Sequence, residues 1–356
     1  MAAKIFTRYL EPSEYDVWDR FVDTSPHGSI YSQSFFLNAL CKAIGTQFRI
    51  LGAYKGEELI GGMGLHYKPS RYGDMVHIRP FLYYNGLVVD EFKSNFPSIT
   101  NSRQTEVIQA ILNELESGRY ASAQVASRAP LEDIRLFWKN HWTVWPRYTY
   151  VVPIADLSEQ WQHVEQNLRR LISRCEREGM RLECSDDVDA FYSMNSATYI
   201  RKGVKPYLGR EKFLELYQEI KAHDACQIYF ALTADGQRAA GQLVLRTKHP
   251  VTHTWMAGSD PSFLQSGASA FLRWKAFEDL SKQGYQYNDL TDAMIEKVAK
   301  FKSQFGGRLE PSFVLYKEFS SRMRWENRVK NLLRKPLDVL KAKFKRTSVH
   351  TEEVDD

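Results

Sequence analysis

Two stretches of this 356-residue chain share one layout, and that layout restricts what the chain can fold into. Leu51–Leu65 reads LGAYKGEELIGGMGL, and Ala231–Leu245, starting 180 residues later, reads ALTADGQRAAGQLVL. Each sets one glycine in a short polar turn (Gly56, Gly236) and a second glycine five residues on (Gly61, Gly241). β-favouring residues flank both turns, so each stretch is expected to be a β-hairpin.

The surroundings match as well. Apolar-periodic helices precede each hairpin: Val17–Val22 with Phe35–Leu40, and Phe191–Ala197 with Lys212–Ile220. After the first hairpin come an expected strand at Pro80–Val89, a helix at Thr105–Leu115 and a strand at Tyr120–Val125. After the second come His253–Gly258, Gly267–Ser281 and Tyr285–Leu290, with Phe271, Trp274, Phe277 and Leu280 at helical spacing. Each half closes with a helix and a strand: Leu131–Lys139 and Thr143–Val152, then Met294–Phe305 and Pro311–Phe319. Two copies of an α-α-β-β-β-α-β-α-β unit thus account for about 320 residues. Alternating helices and strands make the fold class α/β (α+β), with mixed sheets flanked by helices. The junction falls near Ile154–Leu157, giving units at 1–154 and 155–320.

Cysteine spacing offers no metal site: Cys41, Cys175, Cys184 and Cys226 form no Cys-x-x-Cys pair, and packing in a reducing cytoplasm is the expectation. No run of eighteen apolar residues occurs and the first residues lack the apolar core of a secretory signal, so neither a membrane-spanning helix nor a secretory leader is expected. The net charge of +5 is uneven. Ser321–Arg346 holds ten Lys/Arg and two acids, so it carries +8 and the remainder −3.

Met294–Gly307 contains the most informative anomaly. On a helical wheel Met294, Val298, Phe301 and Phe305 fall within about 60° of one another. Lys302 projects at about 80°, between Val298 at about 40° and Ile295 at about 100°, so it is a lysine on the apolar face. Either its stem packs while the ammonium reaches water, or it faces a cleft and meets developing negative charge. Asp289 and Asp292 end the preceding strand. Asp289 is the candidate to take a proton from an attacking amine, whereas Asp292 suits an Asx turn or N-cap.

Other stretches carry charge. In the helix Leu157–Gly179, His163, Arg170, Arg174 and Arg177 share one face, which reads either as solvated or as a phosphate-contacting stripe. The loop Thr198–Leu208 combines Arg201, able to hold phosphate, with Tyr207, able to stack a ring. In Ser259–Ala270 small residues leave backbone N–H groups accessible at a helix start, a seat for pyrophosphate that includes Gln265, Ser266 and Gly267. Ordinary capping explains the same residues.

The order NLRRLISRCEREG, TYIRKG, GQLVL, SFLQSGASAFLRWKAFEDLSKQGYQYNDL and VAKFKSQFGG resembles the FemABX-like acyltransferases, relatives of the GNAT acetyltransferases. SPHGSIYSQSFFLNAL and GGMGL extend the resemblance to the first half, so it covers about residues 10–320. It implies two tandem GNAT-like (acyl-CoA N-acyltransferase) domains. It also implies N-acyl transfer to an amine of a peptidoglycan or polysaccharide precursor, with acyl-CoA or aminoacyl-tRNA as the donor. The acceptors of that chemistry are nucleotide-sugar, peptidoglycan or lipid-linked glycan precursors, and the resemblance adds tRNA as a partner where the donor is aminoacyl-tRNA. The resemblance places Phe301-Lys302 at the active site, with Lys302 stabilising charge on the attacked carbonyl, and Arg201 near substrate phosphate. Departures are visible: the helical insertion associated with tRNA contact is missing, and Leu264 precedes Gln265-Ser266-Gly267 where the cofactor signature has Gln or Arg. A catalytically degenerate binding module in envelope assembly is the alternative.

The basic segment 321–346 is amphipathic around Trp325, Val329, Leu332 and Leu333, and reads as a membrane-surface helix, an RNA contact or a helix packed on the body. A cytoplasmic protein, peripheral at the inner membrane face, is expected. The acidic end 347–356 is expected to be disordered.

Overall fold

The computed structural model describes residues 4–78, 81–128, 130–131, 133–201 and 203–330. The first half contains β1 (Ile5–Tyr9), α1 (Tyr15–Thr24), α2 (Ser34–Ile44), β2 (Gln47–Lys55), β3 (Glu58–Lys68), β4 (Asp74–Val76), β5 (Leu87–Val89), α3 (Pro97–Leu115), β6 (Tyr120–Ala126), α4 (Arg135–Lys139) and β7 (Thr143–Pro153). Then come α5 (Leu157–His163) and α6 (Gln166–Arg177). The second half runs β8 (Arg181–Ser185), α7 (Val188–Arg201), α8 (Arg210–Lys221), β9 (Cys226–Leu232), β10 (Arg238–Leu245), β11 (Val251–Ser259), α9 (Ala268–Lys282), β12 (Tyr287–Asp289), α10 (Glu296–Ser303) and β13 (Arg308–Glu318).

The expected repeat is present. β2–β3 and β9–β10 are the two hairpins, and both turns use a left-handed glycine, Gly56 at φ 63° and Gly236 at φ 86°. Each unit also gains a leading strand, β1 or β8, paired antiparallel to the outer hairpin strand.

All strands join one mixed sheet, in the order β1-β2-β3-β4-β6-β13-β7-β12-β11-β10-β9-β8, with β5 paired to β3. The closing strands of the two halves are therefore exchanged. β13 lies against β6 of the first half, and β7 lies against β12 of the second. Between them β7 and β13 pair over nine positions, from Arg308↔Val151 to Tyr316↔Thr143. Long, well-matched antiparallel strands satisfy each other's backbone groups, so the centre of the sheet belongs to both halves.

The core follows the same plan. Val107, Ile111 and Leu115 of α3 cover the first half's sheet, and Phe271, Phe277 and Leu280 of α9, with Leu168 and Ile172 of α6, cover the second's. A third cluster spans the halves: Phe36, Leu37 and Leu40 of α2 meet Phe213, Leu216 and Ile220 of α8. Burial of each such side chain contributes about 1.5–3 kcal/mol.

Several elements differ from the sequence expectation, each for a local reason. Of the expected strand at 80–89, the described residues 81–89 are strand only at Leu87–Val89; 81–86 is irregular and reaches toward the second half. The 157–179 helix breaks at Val164, whose extended backbone lets Glu165 N donate to Gln304 O at 2.8 Å. His163 therefore does not share a helix face with Arg170, Arg174 and Arg177. The last helix of the second half is shorter than Met294–Phe305, and Met294 stands outside it, 55% exposed. Asp292 accepts from Met294 N at 3.0 Å, an Asx-type turn, while Ile295 is the N-cap residue. Residues 321–330 are helical, with Trp325 exposed and Glu326 bonded to Arg71 and Tyr72 of the first half. The expectations for 331–356 lie outside the described residues. No helix among the described residues is long and apolar enough to cross a membrane.

Candidate active site

β11 and β12 run parallel, but they pair only from Val251↔Tyr287 to His253↔Asp289. Beyond that point they part. A register shift on the other side of β11 (Leu243↔Met256, Val244↔Thr254) leaves Trp255 as a bulge residue, which bends the strand further. The parted strands open a cleft of about 390 Å³ between Thr254–Ala257 and Leu290–Asp292. Ile295 at the N-cap of α10, Val298 and Lys302 within it, and Arg273 of α9 also line it. A neighbouring cavity of about 530 Å³ shares Tyr83, Tyr199, Tyr207, Trp255 and Asp292 with it and adds Arg147, Phe81 and Met294. Together they form one aromatic-walled groove.

Lys302 is buried to 8% exposure. Its Nζ donates to Thr291 O at 2.7 Å and Asp292 O at 2.6 Å. An ammonium has three donors, so one is left for the cleft. Burial, and then the nearby Arg273 charge, lower its pKa to about 8, against the opposing pull of Asp292 and Asp289. At neutral pH it is mostly charged.

The carbonyl that receives Lys302 is held by a relay. Thr291 has φ 53°, a left-handed conformation that costs a β-branched residue about 1–3 kcal/mol. Its N–H donates to Asp289 Oδ1 at 2.7 Å and its hydroxyl to Thr254 O at 3.0 Å, which keeps it there. Asp289 in turn accepts from Thr149 Oγ1 at 2.5 Å and Tyr84 OH at 2.8 Å, and His253 Nδ1 lies 3.3 Å from Oδ2. Burial pushes the Asp289 carboxyl up, but the His253 ring beside it and the bonds from Thr149 and Thr291 outweigh it and the pKa is strongly lowered. Asp289 does not line the cleft, and a saturated carboxylate of depressed pKa is a poor proton acceptor. Its bonds hold the Thr291 backbone, and it stands outside the cleft in which a base was expected. Asp292 is the carboxylate that lines the groove.

Two first-half elements complete the site. Strand exchange sets β7 beside β12, so that Leu290 N donates to Tyr150 O and Ala293 N to Tyr148 O, at 2.9 and 2.8 Å. That register carries Thr149 to Asp289 and Arg147 to the groove. The irregular stretch 81–84 supplies the opposite wall: Phe81 O accepts from Trp255 Nε1 at 3.1 Å, and Tyr83 O accepts from Arg147 Nη1 at 3.1 Å.

Of the residues singled out from sequence, Lys302 and Tyr207 line the cleft. Phe301 does not; it packs edge-on against Phe305 at 5.3 Å, behind the lysine. Arg201 is exposed at the end of α7 and outside the cleft. Gln265, Ser266 and Gly267 form the turn into α9, also outside it. There Gly267 caps the helix at φ 90°, Ser266 O accepts from Arg174 Nη2 at 2.6 Å, and the Ser266 hydroxyl accepts from Ala268 N at 3.1 Å. A Cβ on Gly267 would come within 3.2 Å of Cys175 Sγ. Helix α6 thus fills one side of the turn and Ser266 consumes a donor, a poor fit to a pyrophosphate cradle. Sequence reading missed Arg273, although it had the same signal as Lys302: it lies about 40° from Phe277 on the apolar face of α9. Among the described residues no cluster of His, Cys, Asp and Glu could hold a metal ion.

Residues 162–302 match the family model described as an acetyltransferase (GNAT) domain. The chain is similar in structure to FemX, with a TM-score of 0.65 at 13% identity over 86% of this chain and 96% of that one. It also resembles the C-terminal domain of a candidate lysylphosphatidylglycerol synthetase from Agrobacterium fabrum (TM-score 0.51, 12% identity, 79% of this chain and 87% of that one). L-PGS from Bacillus licheniformis gives a TM-score of 0.50 at 12% identity, over 87% of this chain and 93% of that one. No curated protein matches the sequence. The GNAT-type resemblance is borne out over residues 162–302, the likeness to FemX bears out the expected fold over most of the chain, and the matched domain coincides with the half that holds the open cleft.

Proposed function

We propose that the chain is an N-acyltransferase whose acceptor is an amine of a peptidoglycan or polysaccharide precursor. The acceptor nitrogen attacks the carbonyl carbon of an activated acyl ester or thioester. The C–N bond forms as the C–O or C–S bond breaks, the leaving oxygen or sulfur keeps the electron pair, and the nitrogen releases a proton. Acyl-CoA and aminoacyl-tRNA both supply such a carbonyl. Asp292 is the cleft carboxylate placed to take the proton, and the remaining Lys302 N–H faces the carbonyl oxygen as it gains charge.

One observation carries this reading: a buried lysine, fixed by two backbone carbonyls, lines a cleft between parted parallel strands with its third donor uncommitted. A preorganised donor of this kind stabilises a developing oxyanion without reorganisation. Lys302→Met should lower turnover by about 10²–10³-fold. The check is mass spectrometry of precursor pools from cells with wild-type chain, variant or neither, with circular dichroism to establish folding. Equal acylated product from wild type and a folded variant would remove Lys302 from the chemistry.

A further inference from the structure

Among the described residues, Arg273 is the cleft residue whose charge the fold leaves unanswered. It projects from the apolar face of α9 and is buried to 6% exposure. Its Nε and Nη1 are enclosed and have no hydrogen-bond acceptor. No carboxylate forms an ion pair with it among the described residues; its neighbours are the rings of Phe301 and Phe305, each centred 5.8 Å from the guanidinium carbon. Burial alone shifts its pKa, downward to about 10, with no compensating acid. The nearby cation is Lys302, and the two repel each other. An unpaired buried cation is costly, and here it lines the floor of a cleft. A fold that keeps two cations together at the base of a groove is suited to a ligand bearing an anion.

We propose that Arg273, reinforced by the charge of Lys302, is a recessed anion subsite that takes a carboxylate carried by the acyl acceptor. The proposal deepens the acyltransferase reading of the same cleft and rests on it for the word acceptor. A carboxylate suits the place better than a phosphate on size. Both cations are more than nine-tenths covered, so only a small flat group reaches them past Tyr199, Tyr207 and Trp255. Asp292 at the side of the cleft favours a cationic or amine-bearing neighbour to that carboxylate. The acceptor class is thus an amine with a carboxylate a few bonds away, such as an amino acid or short peptide unit.

The test uses thermal unfolding of the full chain without any donor, so its outcome is independent of whether Lys302→Met abolishes turnover. The probes are acetate and glycylglycine, with inorganic phosphate and coenzyme A as the phosphate arm and sodium chloride as the ionic-strength control. Wild type should gain about 2 °C in Tm with the carboxylates beyond the chloride control. Arg273→Met should unfold at a higher temperature than ligand-free wild type, because a buried unpaired charge has gone, and should lose the carboxylate response. Arg273→Lys, which keeps a charge without the guanidinium, should retain less than half of it. A structural arginine would give the reverse: a lower Tm in Arg273→Met with the carboxylate response intact. That result, failure of both variants to fold, or an equal response to phosphate or coenzyme A, would overturn the assignment.

Discussion

The two halves part a pair of parallel strands in the same way and then treat the gap differently. In the second half β11 and β12 separate after His253 and Asp289, and the gap is the candidate active site. In the first half β4 pairs parallel to β6 from Asp74↔Tyr120 to Val76↔Ala123, and the chain's own segment then fills the space beside β6. Asn85, fully buried, donates through Nδ2 to Gln124 O at 2.9 Å and accepts at Oδ1 from Ala126 N at 2.7 Å. Its backbone N–H donates to Ala126 O at 3.1 Å. Gly86 follows so closely that a Cβ would sit 2.8 Å from Ser127 Cα. The difference teaches what the first half is for. Residues 85–86 plug its gap, and residues 81–84 of the same segment wall the other half's cleft. One half has lost a cleft, and the other has gained a wall from it.

The strongest way to break that comparison is at Asp289, where the halves meet. Tyr84 and Thr149 come from the first half, Thr291 and His253 from the second, and all four converge on one carboxylate. Asp289→Asn replaces an acceptor oxygen by a donor inside that ring. We expect a loss of about 3–5 kcal/mol in urea unfolding, and turnover lost along with the Thr291 geometry. The depressed carboxyl sets the pH sign. Its stabilisation is complete above the unfolded-state value of about 3.9 and is lost as pH falls through the lower folded-state value, so the gap between wild type and Asn should shrink in acid. A variant as stable as wild type at pH 7 would show that the halves are not held together there.

A second, smaller effect separates a functional lysine from a structural one. The Lys302 pKa, about 8 in the fold, lies below the unfolded value of about 10.4. Between these values the unfolded chain binds more protons, so stability should rise with pH. The charged, buried form costs stability below pH 8 and ceases to do so toward pH 10. The groups facing it are Arg273, which lowers the pKa, and Asp292 and Asp289, which raise it. Lys302→Met should therefore be more stable than wild type at pH 7 by up to about 3 kcal/mol, with the gain fading by pH 10. Denaturation curves at pH 7, 8.5 and 10 check this. A Met variant less stable at pH 7 would mean that the bonds to Thr291 O and Asp292 O outweigh the buried charge.

How much of this was legible in the sequence follows from what periodicity can encode. The paired hairpins and the order of helices and strands were readable because side-chain sorting repeats every 2 or 3.6 residues. Lys302 was readable as a breach of that sorting, and Arg273 carried the same mark on α9. The exchange of β7 and β13 was not, because an exchanged strand has the same alternation as an unexchanged one. The wall at 81–84 was read as strand because its aromatic residues favour strand, yet they serve as cleft lining and inter-half packing. Asp289 looked like a base because a carboxylate at a strand end is all that the sequence shows; its donors, Tyr84 and Thr149, are 205 and 140 residues away.

The smallest predicted effect tests the plug itself. Asn85→Ala removes two side-chain hydrogen bonds to β6 and leaves Ala126 N–H and Gln124 O without those partners. The cost should be about 2 kcal/mol in urea unfolding. If 81–86 is one mechanical unit, loosening its anchor at Asn85 also loosens the Tyr83 wall, two residues and at most about 7 Å of extended chain away. Binding should then suffer before chemistry: KM for the acceptor rises several-fold while kcat stays within twofold, because Lys302 keeps its bonds to Thr291 O and Asp292 O, and Asp289 keeps those from Thr149 and Thr291 even if the Tyr84 bond loosens. The same loss of stability with KM unchanged would show that plug and wall are independent, and that the first half's gap is filled for reasons of its own.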